Sequence, residues 1–261
     1  MQDTIAKNYM SIRIRLMKPI IIIPARMTST RLPDKPLADI HGKPMIVRVL
    51  EMGLRADIAP VLIACDDVRI KEAIEAVGGY AVLTSDKHHS GSDRIFEALQ
   101  LFDKAGEYDT VINLQGDLPI VEPSIISAVL EPLKQNEKVD IATAVCPIKD
   151  ELEGDDPHVV KAVLSLAEGA TIGKALYFSR AKVPYGHGVL YHHIGIYAYR
   201  REALERFISL PPSPLEKQEK LEQLRALEND MRIDAVVVDS IPLGVDTETD
   251  LEKVRKIIAE R

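Results

Sequence analysis

The chain has 261 residues, which suits one large α/β domain. With 46% apolar and 28% charged residues it has the make-up of a globular protein, and no apolar run nears the ~20 residues of a membrane helix. A net charge of −7 argues against wrapping a nucleic-acid backbone.

Residues 1–18 lack periodicity and are expected to form a flexible extension with no secretory leader, so a cytoplasmic protein is expected. Residues 1–48 hold nine Lys/Arg against three Asp/Glu, which suits a local anion site as well as a solvated basic surface. Residues 19–261 are read as a single domain. Pro19–Ile23 is an unbroken β-branched run, the pattern of a strand buried on both faces. After a turn-rich loop, Pro44 opens a helix in its first turn. Val61–Cys65 is a second buried strand, with Asp66 and Asp67 as caps for a helix to Val77 that Gly78 and Gly79 end. Tyr80–Leu83 is a short strand, and Ser92 is expected to cap the next helix. Thr110–Leu114 is another strand, and Pro123 opens a helix expected to run through Leu133. Alternation of this kind implies a parallel sheet covered by helices on both faces. Beyond Asp140, strand-like stretches cluster at 139–147, 158–166, 175–180 and 189–199, which predicts a mixed-sheet extension. A helical region over 200–229, a strand at Ala235–Val238 and a helix at Glu248–Ile258 complete the chain. Cys65 and Cys146 sit in apolar runs and read as buried free thiols of a reducing compartment.

Ligands of open parallel sheets sit at the carboxyl ends of strands. The loop after the first strand carries Arg26, Arg31 and Lys35 among hydroxyls, with Pro24, Pro33 and Pro36 restricting the backbone. Convergent guanidinium and ammonium groups suit a polyphosphate, whereas neither a Walker loop nor Gly-x-Gly-x-x-Gly is present. A dinucleotide oxidoreductase is thereby disfavoured.

The stretch IIPARMTSTRLPDKPL resembles the N-terminal motif of the 3-deoxy-manno-octulosonate (Kdo) cytidylyltransferase family. HGKPMIVRVLE, HHSGSDRI, VINLQGDLP, ALYFSRAKVPY, HHIGIYAYR, PSPLEKQEKLEQLRAL and GVDTETDLEKVR follow in the family's order, over about residues 19 to 258. The resemblance implies a nucleotide-diphospho-sugar transferase-like α/β fold: a mostly parallel central sheet, helices on both faces and a mixed-sheet dimerisation extension. A nucleotide part over 19–140, a sugar and dimer part over 141–230 and a closing strand and helix over 231–261 are expected. The implied reaction joins CTP and Kdo into CMP-Kdo and pyrophosphate, with Mg²⁺, in a homodimer that serves lipopolysaccharide synthesis.

Carried over residue by residue, the resemblance places the triphosphate on Arg26, Arg31 and Lys35 and the metal on Asp117 and Asp246. Alone, these aspartates would read as a turn residue and a helix cap. Gly116 is expected to let the chain approach a ligand. Ser90, Gly91, Ser92 and Arg94, with the loop at Cys65–Asp66, are expected around the cytidine. The sugar is expected on Gln115, Arg180, His193, Tyr197, Glu222 and Gln223, with Arg180 pairing its carboxylate. His192 and His193, adjacent on a strand, face opposite ways and are not expected to share a metal. No Cys or Ser nucleophile is expected. Three features depart from the family pattern. Leu118 replaces a Glu, Ser92-Asp93 replaces Thr-Glu, and the loop Val183–Gly188 is short and lacks an Asp and an Arg that His187 could replace. The rival readings are a cytidylyltransferase for another acidic sugar, a sialic acid or 8-amino-Kdo, and an inactive nucleotide-binding module. Retention of every expected cation and metal aspartate argues against the inactive module.

Overall fold

The computed structural model describes residues 17–28 and 31–260; most of the expected extension lies outside the described residues. The first half runs β1 (Pro19–Ala25), a 3₁₀ turn (Lys35–Leu37), the two-residue strands β2 (Asp39–Ile40) and β3 (Lys43–Pro44), α1 (Met45–Arg55), β4 (Val61–Cys65), α2 (Val68–Glu75), β5 (Tyr80–Leu83), α3 (Gly91–Phe102), β6 (Thr110–Asn113), α4 (Pro123–Ala128) and α5 (Glu131–Gln135). The second runs β7 (Ile141–Pro147), α6 (Glu151–Asp155), β8 (Lys161–Ser165), β9 (Ile172–Ser179), β10 (Tyr191–Arg200), α7 (Arg201–Ser209), α8 (Pro214–Glu219), α9 (Leu224–Glu228), β11 (Ile233–Val237) and α10 (Glu248–Ala259). Among the described residues no helix is long and apolar enough to cross a membrane.

One nine-stranded sheet has the order β5-β4-β1-β6-β10-β7-β11-β9-β8. Its first four strands pair in parallel. β10 joins antiparallel to β6 and β7, so the mixed half continues the same sheet across residue 140. β10 also bulges against β7 between Ile194 and Tyr197. The isoleucines of β1 explain why the first half needs two helical layers. Ile20 and Ile22 pack into a core with Ile95 and Leu99 of α3 and Phe207 of α7. Ile21 and Ile23, on the other face, pack with Ile46 and Leu50 of α1 and Ile70 of α2. All four are fully buried, and each contributes roughly 1.5–3 kcal/mol. A third cluster seats Val245, Leu251 and Val254 of the C-terminal segment on Leu32, Ile40 and Met45, beside the loop that follows β1.

Three local expectations are corrected. Ser90, not Ser92, caps α3: it is extended at φ −129° and its hydroxyl accepts the Asp93 N–H. The helix expected from Pro123 to Leu133 is two pieces, because Pro132 has no N–H to give the carbonyl of Ala128. Pro44 precedes α1 as its cap residue instead of occupying the first turn.

Candidate active site

β1 lies between β4 and β6, so chain order reverses at its carboxyl end. Loops leaving neighbouring strands diverge there and leave a crevice. A cleft of about 730 Å³ opens at this point, lined among others by Arg26, Arg31, Lys35, Ser90, Gly91, Arg94, Gln115, Asp117 and Asp246. Nine of the expected site residues therefore share one hollow.

The opposing charges meet on its floor. Lys35 opens the 3₁₀ turn after Asp34, which takes the left-handed conformation (φ 51°) that aspartate tolerates. Lys35 Nζ donates to Asp117 Oδ2 at 3.0 Å and to Asp246 Oδ1 at 3.1 Å. Arg31 pairs with the other oxygen of Asp246 at 3.2 Å. The two aspartates lie far apart in sequence, but the Val245 N–H donates to the Asp117 carbonyl at 2.9 Å, so one backbone bond joins their loops. Thr247, not Asp246, caps α10, which leaves the Asp246 carboxylate to the cleft. Gly116 lines the cleft and answers a second need as well: a Cβ there would stand 2.5 Å from the carbonyl oxygen of Pro24, so its lack of a side chain permits close approach of β1.

Arg94 lines the cleft, yet its terminal nitrogens are spent on Thr84 Oγ1 at 2.7 Å and Asp66 Oδ2 at 3.1 Å. Asp66, expected near the cytosine, is likewise committed to Arg94 and to the Met27 N–H at 3.0 Å. Ser92 faces away from the cleft lining and donates to Glu222 Oε2 at 2.9 Å.

The residues expected to hold the sugar divide. Gln115 lines the cleft, and its Nε2 donates to the Gly195 carbonyl at 3.1 Å, inside the β10 bulge. Behind it lies a buried polar tract. Glu222 Oε1 and Gln223 Nε2 are buried without a hydrogen-bond partner among the described residues. Burial raises the Glu222 carboxyl pKa, against the pull of the Ser90 and Ser92 hydroxyls. The Tyr197 ring lies 5.5 Å from that of His193. His193 is buried, and burial pushes its pKa down to about 3. Its Nε2 is 3.0 Å from Thr143 Oγ1, which also sits 2.9 Å from the Ile196 carbonyl. The single threonine proton goes to a carbonyl, so His193 is the donor, in its neutral Nε2–H form. Arg180 is elsewhere: its guanidinium donates to the carbonyls of Glu219 (2.9 Å) and Pro157 (3.0 Å). Neither Arg180 nor Tyr197, His193, Glu222 or Gln223 lines the cleft.

Residues 20–233 match the model of a family described as cytidylyltransferase. A protein of Paramagnetospirillum magneticum named 3-deoxy-manno-octulosonate cytidylyltransferase is 55% identical over 240 residues, 92% of this chain and 97% of its own length. The chain belongs to the 3-deoxy-manno-octulosonate cytidylyltransferase family. A family member from Rhizobium leguminosarum bv. trifolii is 56% identical over 242 residues, 93% of this chain and 96% of its own. A solved CMP:2-keto-3-deoxy-manno-octonic acid synthetase, complexed with CTP, superposes with a TM-score of 0.85 at 40% identity, covering 93% of this chain and 99% of its own. A 4-diphosphocytidyl-2C-methyl-D-erythritol synthase from Anaerococcus prevotii shares the fold, with a TM-score of 0.61 at 13% identity and coverage of 93% and 99%.

Leu118, a departure from the expected motif, is buried in the core that backs the cleft and leaves Asp117 and Asp246 as the paired acids. The short Val183–Gly188 loop is exposed, and His187 does not line the cleft. His192 and His193 do face apart, toward Glu153 and Thr143 respectively. Cys65 and Cys146 are buried, and burial raises both thiols, Cys65 to about 11, so neither is an activated nucleophile. Sequence reasoning gave no role to His88 and His89, which line the cleft. Their position before the Ser90 cap was the available signal. His88 pairs with Glu97, whose other contact is the Ser85 N–H at 2.8 Å.

Proposed function

We propose that this chain joins CTP and 3-deoxy-manno-octulosonate into CMP-Kdo, releasing pyrophosphate. The observation that carries the reading is the meeting of Lys35 with Asp117 and Asp246 on the floor of a cleft rimmed by Arg26 and Arg31. The sugar's anomeric oxygen forms a bond to the α-phosphorus while the bond from that phosphorus to the pyrophosphate oxygen breaks, and the hydroxyl proton passes to solvent water as the new bond forms. Arg26, Arg31 and Lys35 hold the phosphates and stabilise the charge that grows on the leaving group. No covalent intermediate on the chain is required.

The site suits a hard cation. Two carboxylates already converge on one ammonium group within 3.1 Å, and no cluster of three or more His, Cys, Asp or Glu able to hold a metal occurs among the described residues. Magnesium takes few protein oxygens and keeps phosphate and water as its other ligands. Asp117 and Asp246 would hold it, and when bound it would lower the pKa of the attacking hydroxyl and offset phosphate charge. The sugar would extend from Gln115 toward Tyr197, His193, Glu222 and Gln223, where the buried Glu222 Oε1 and Gln223 Nε2 lack a hydrogen bond among the described residues. Arg180 would join only by releasing its carbonyls. Exposed Leu152, Leu176 and Val189 support a homodimer formed through residues 141–230, and two buried free thiols suit the cytosol.

Pyrophosphate release with CTP, Mg²⁺ and Kdo tests the reading, with a sialic acid and 8-amino-Kdo as competing acceptors. Kdo should be preferred, and Asp117→Asn should lower kcat by roughly a hundredfold or more, as loss of a group acting in the transition state does. Preference for another acid, or near-normal turnover by the variant, would overturn it.

A further inference from the structure

We infer that Asp66 is a positioning residue that sets the phosphate loop from outside it, through the peptide between Arg26 and Met27; this rests on the proposed use of that loop for a triphosphate. The loop brings three cations to one side of a cleft; Lys35 and Arg31 are held against Asp117 and Asp246, and the backbone that carries Arg26 needs an anchor of its own. Asp66, just past β4, supplies one. Its Oδ1 accepts the Met27 N–H at 3.0 Å and its Oδ2 accepts Arg94 at 3.1 Å. The pair is enclosed, with side chains only 7% and 3% exposed. Arg94 in turn donates to Thr84 Oγ1, and that hydroxyl donates to the Cys65 carbonyl at 3.0 Å. The ends of β4 and β5 and the first turn of α3 thus converge on a single peptide of the loop.

That peptide plane determines how Arg26 leaves the backbone. Its N–H is the only donor the peptide has, and a buried charged acceptor holds it more strongly than water or a neutral group would. Arg94 has a matching duty. It cancels an acidic charge that would otherwise stand beside the phosphates, and both of its terminal nitrogens are already engaged.

Calorimetric titration with CTP, and separately with inorganic tripolyphosphate, tests the inference without turnover. Asp66→Ala should weaken both ligands ten- to hundredfold, the range of one hydrogen bond to a charged group. Because this variant strands Arg94 and can fail to fold, the double variants Asp66→Ala/Arg94→Met and Asp66→Asn/Arg94→Met remove the buried charges together. Only the second keeps an acceptor for Met27, so it should bind at least tenfold more tightly than the first. Equal affinity of the two folded double variants, or an Asp66→Ala protein that folds and binds within twofold of wild type, overturns the role. Failure of the proposed reaction would appear instead as wild-type protein that binds neither ligand or releases no pyrophosphate.

Discussion

Acid should destabilise this protein through His193, and the size of the effect follows from the side chain's surroundings. The ring is buried between Phe178 and Tyr197 and donates to Thr143. Burial lowers its pKa from 6.5 to about 3. Between those values the unfolded chain takes up a proton that the folded protein refuses, so stability falls as pH drops below about 6.5. Each pH unit in the window costs about 1.4 kcal/mol, and lowering pH from 7 to 5 therefore removes about 2 kcal/mol. In a chain of this length that is a drop in Tm of roughly 4–8 °C. Carboxylates whose pKa values are depressed in the fold, such as Asp103 with its two backbone N–H donors and Arg201, also weaken toward low pH. A variant separates the contributions. His193→Gln can still donate to Thr143 and has no charge to gain, whereas the acids act in both proteins. Thermal unfolding followed by circular dichroism at pH 7 and pH 5 should show a smaller acid loss in the variant, by about 2 kcal/mol. Parallel losses in the two proteins would refute the assignment of His193 as a buried neutral donor.

Two further outcomes are expected. Gly116→Ala should cost about 1–3 kcal/mol in urea unfolding, because the new methyl meets the Pro24 carbonyl at 2.5 Å and backbone cannot step aside as a side chain can; unchanged stability would mean that β1 and the Asp117 loop are not held so close. Cys65→Ala with Cys146→Ala should keep kcat within a few-fold, and thiol reagents should label the native protein slowly, since both thiols are buried and held protonated.

The parts of the fold legible in the sequence are those with an unambiguous local cause. β1 and β4 are legible because buried apolar runs rich in β-branched residues and bounded by turn residues have few other uses, and covering β1 on both faces required helices on each side. The first cation loop was legible for the same reason, as it follows a buried strand. What escaped was set by tertiary competition. Ser90 and Ser92 are equally good caps in isolation; Ser90 stands before the first turn and accepts the Asp93 N–H, while the Ser92 hydroxyl donates to Glu222 across the fold. Arg94 is expected around the cytidine and does line the cleft, but nothing local shows that Asp66 and Thr84 also engage its terminal nitrogens. Arg180 was equally opaque, since the carbonyls of Glu219, Lys220 and Pro157 that its guanidinium meets come from two segments remote from it in sequence.

The pairing of Asp117 with Asp246 shows where resemblance contributed what local chemistry could not. Each residue alone is an ordinary loop aspartate. Their meeting depends on a small apolar cluster, in which Val245, Leu251 and Val254 seat the C-terminal segment against Leu32 and Met45. It depends too on the Val245 N–H reaching the Asp117 carbonyl. The geometry of this acid pair is therefore a property of hydrophobic docking as much as of carboxylate chemistry. Lys35 and Arg31 complete the arrangement from a third loop, so cations and anions are held face to face by three separate returns of the chain. On the proposed use of this cleft, a nucleoside triphosphate that draws Lys35 toward its own oxygens would free the two carboxylates for a cation, which would make metal and nucleotide binding mutually reinforcing.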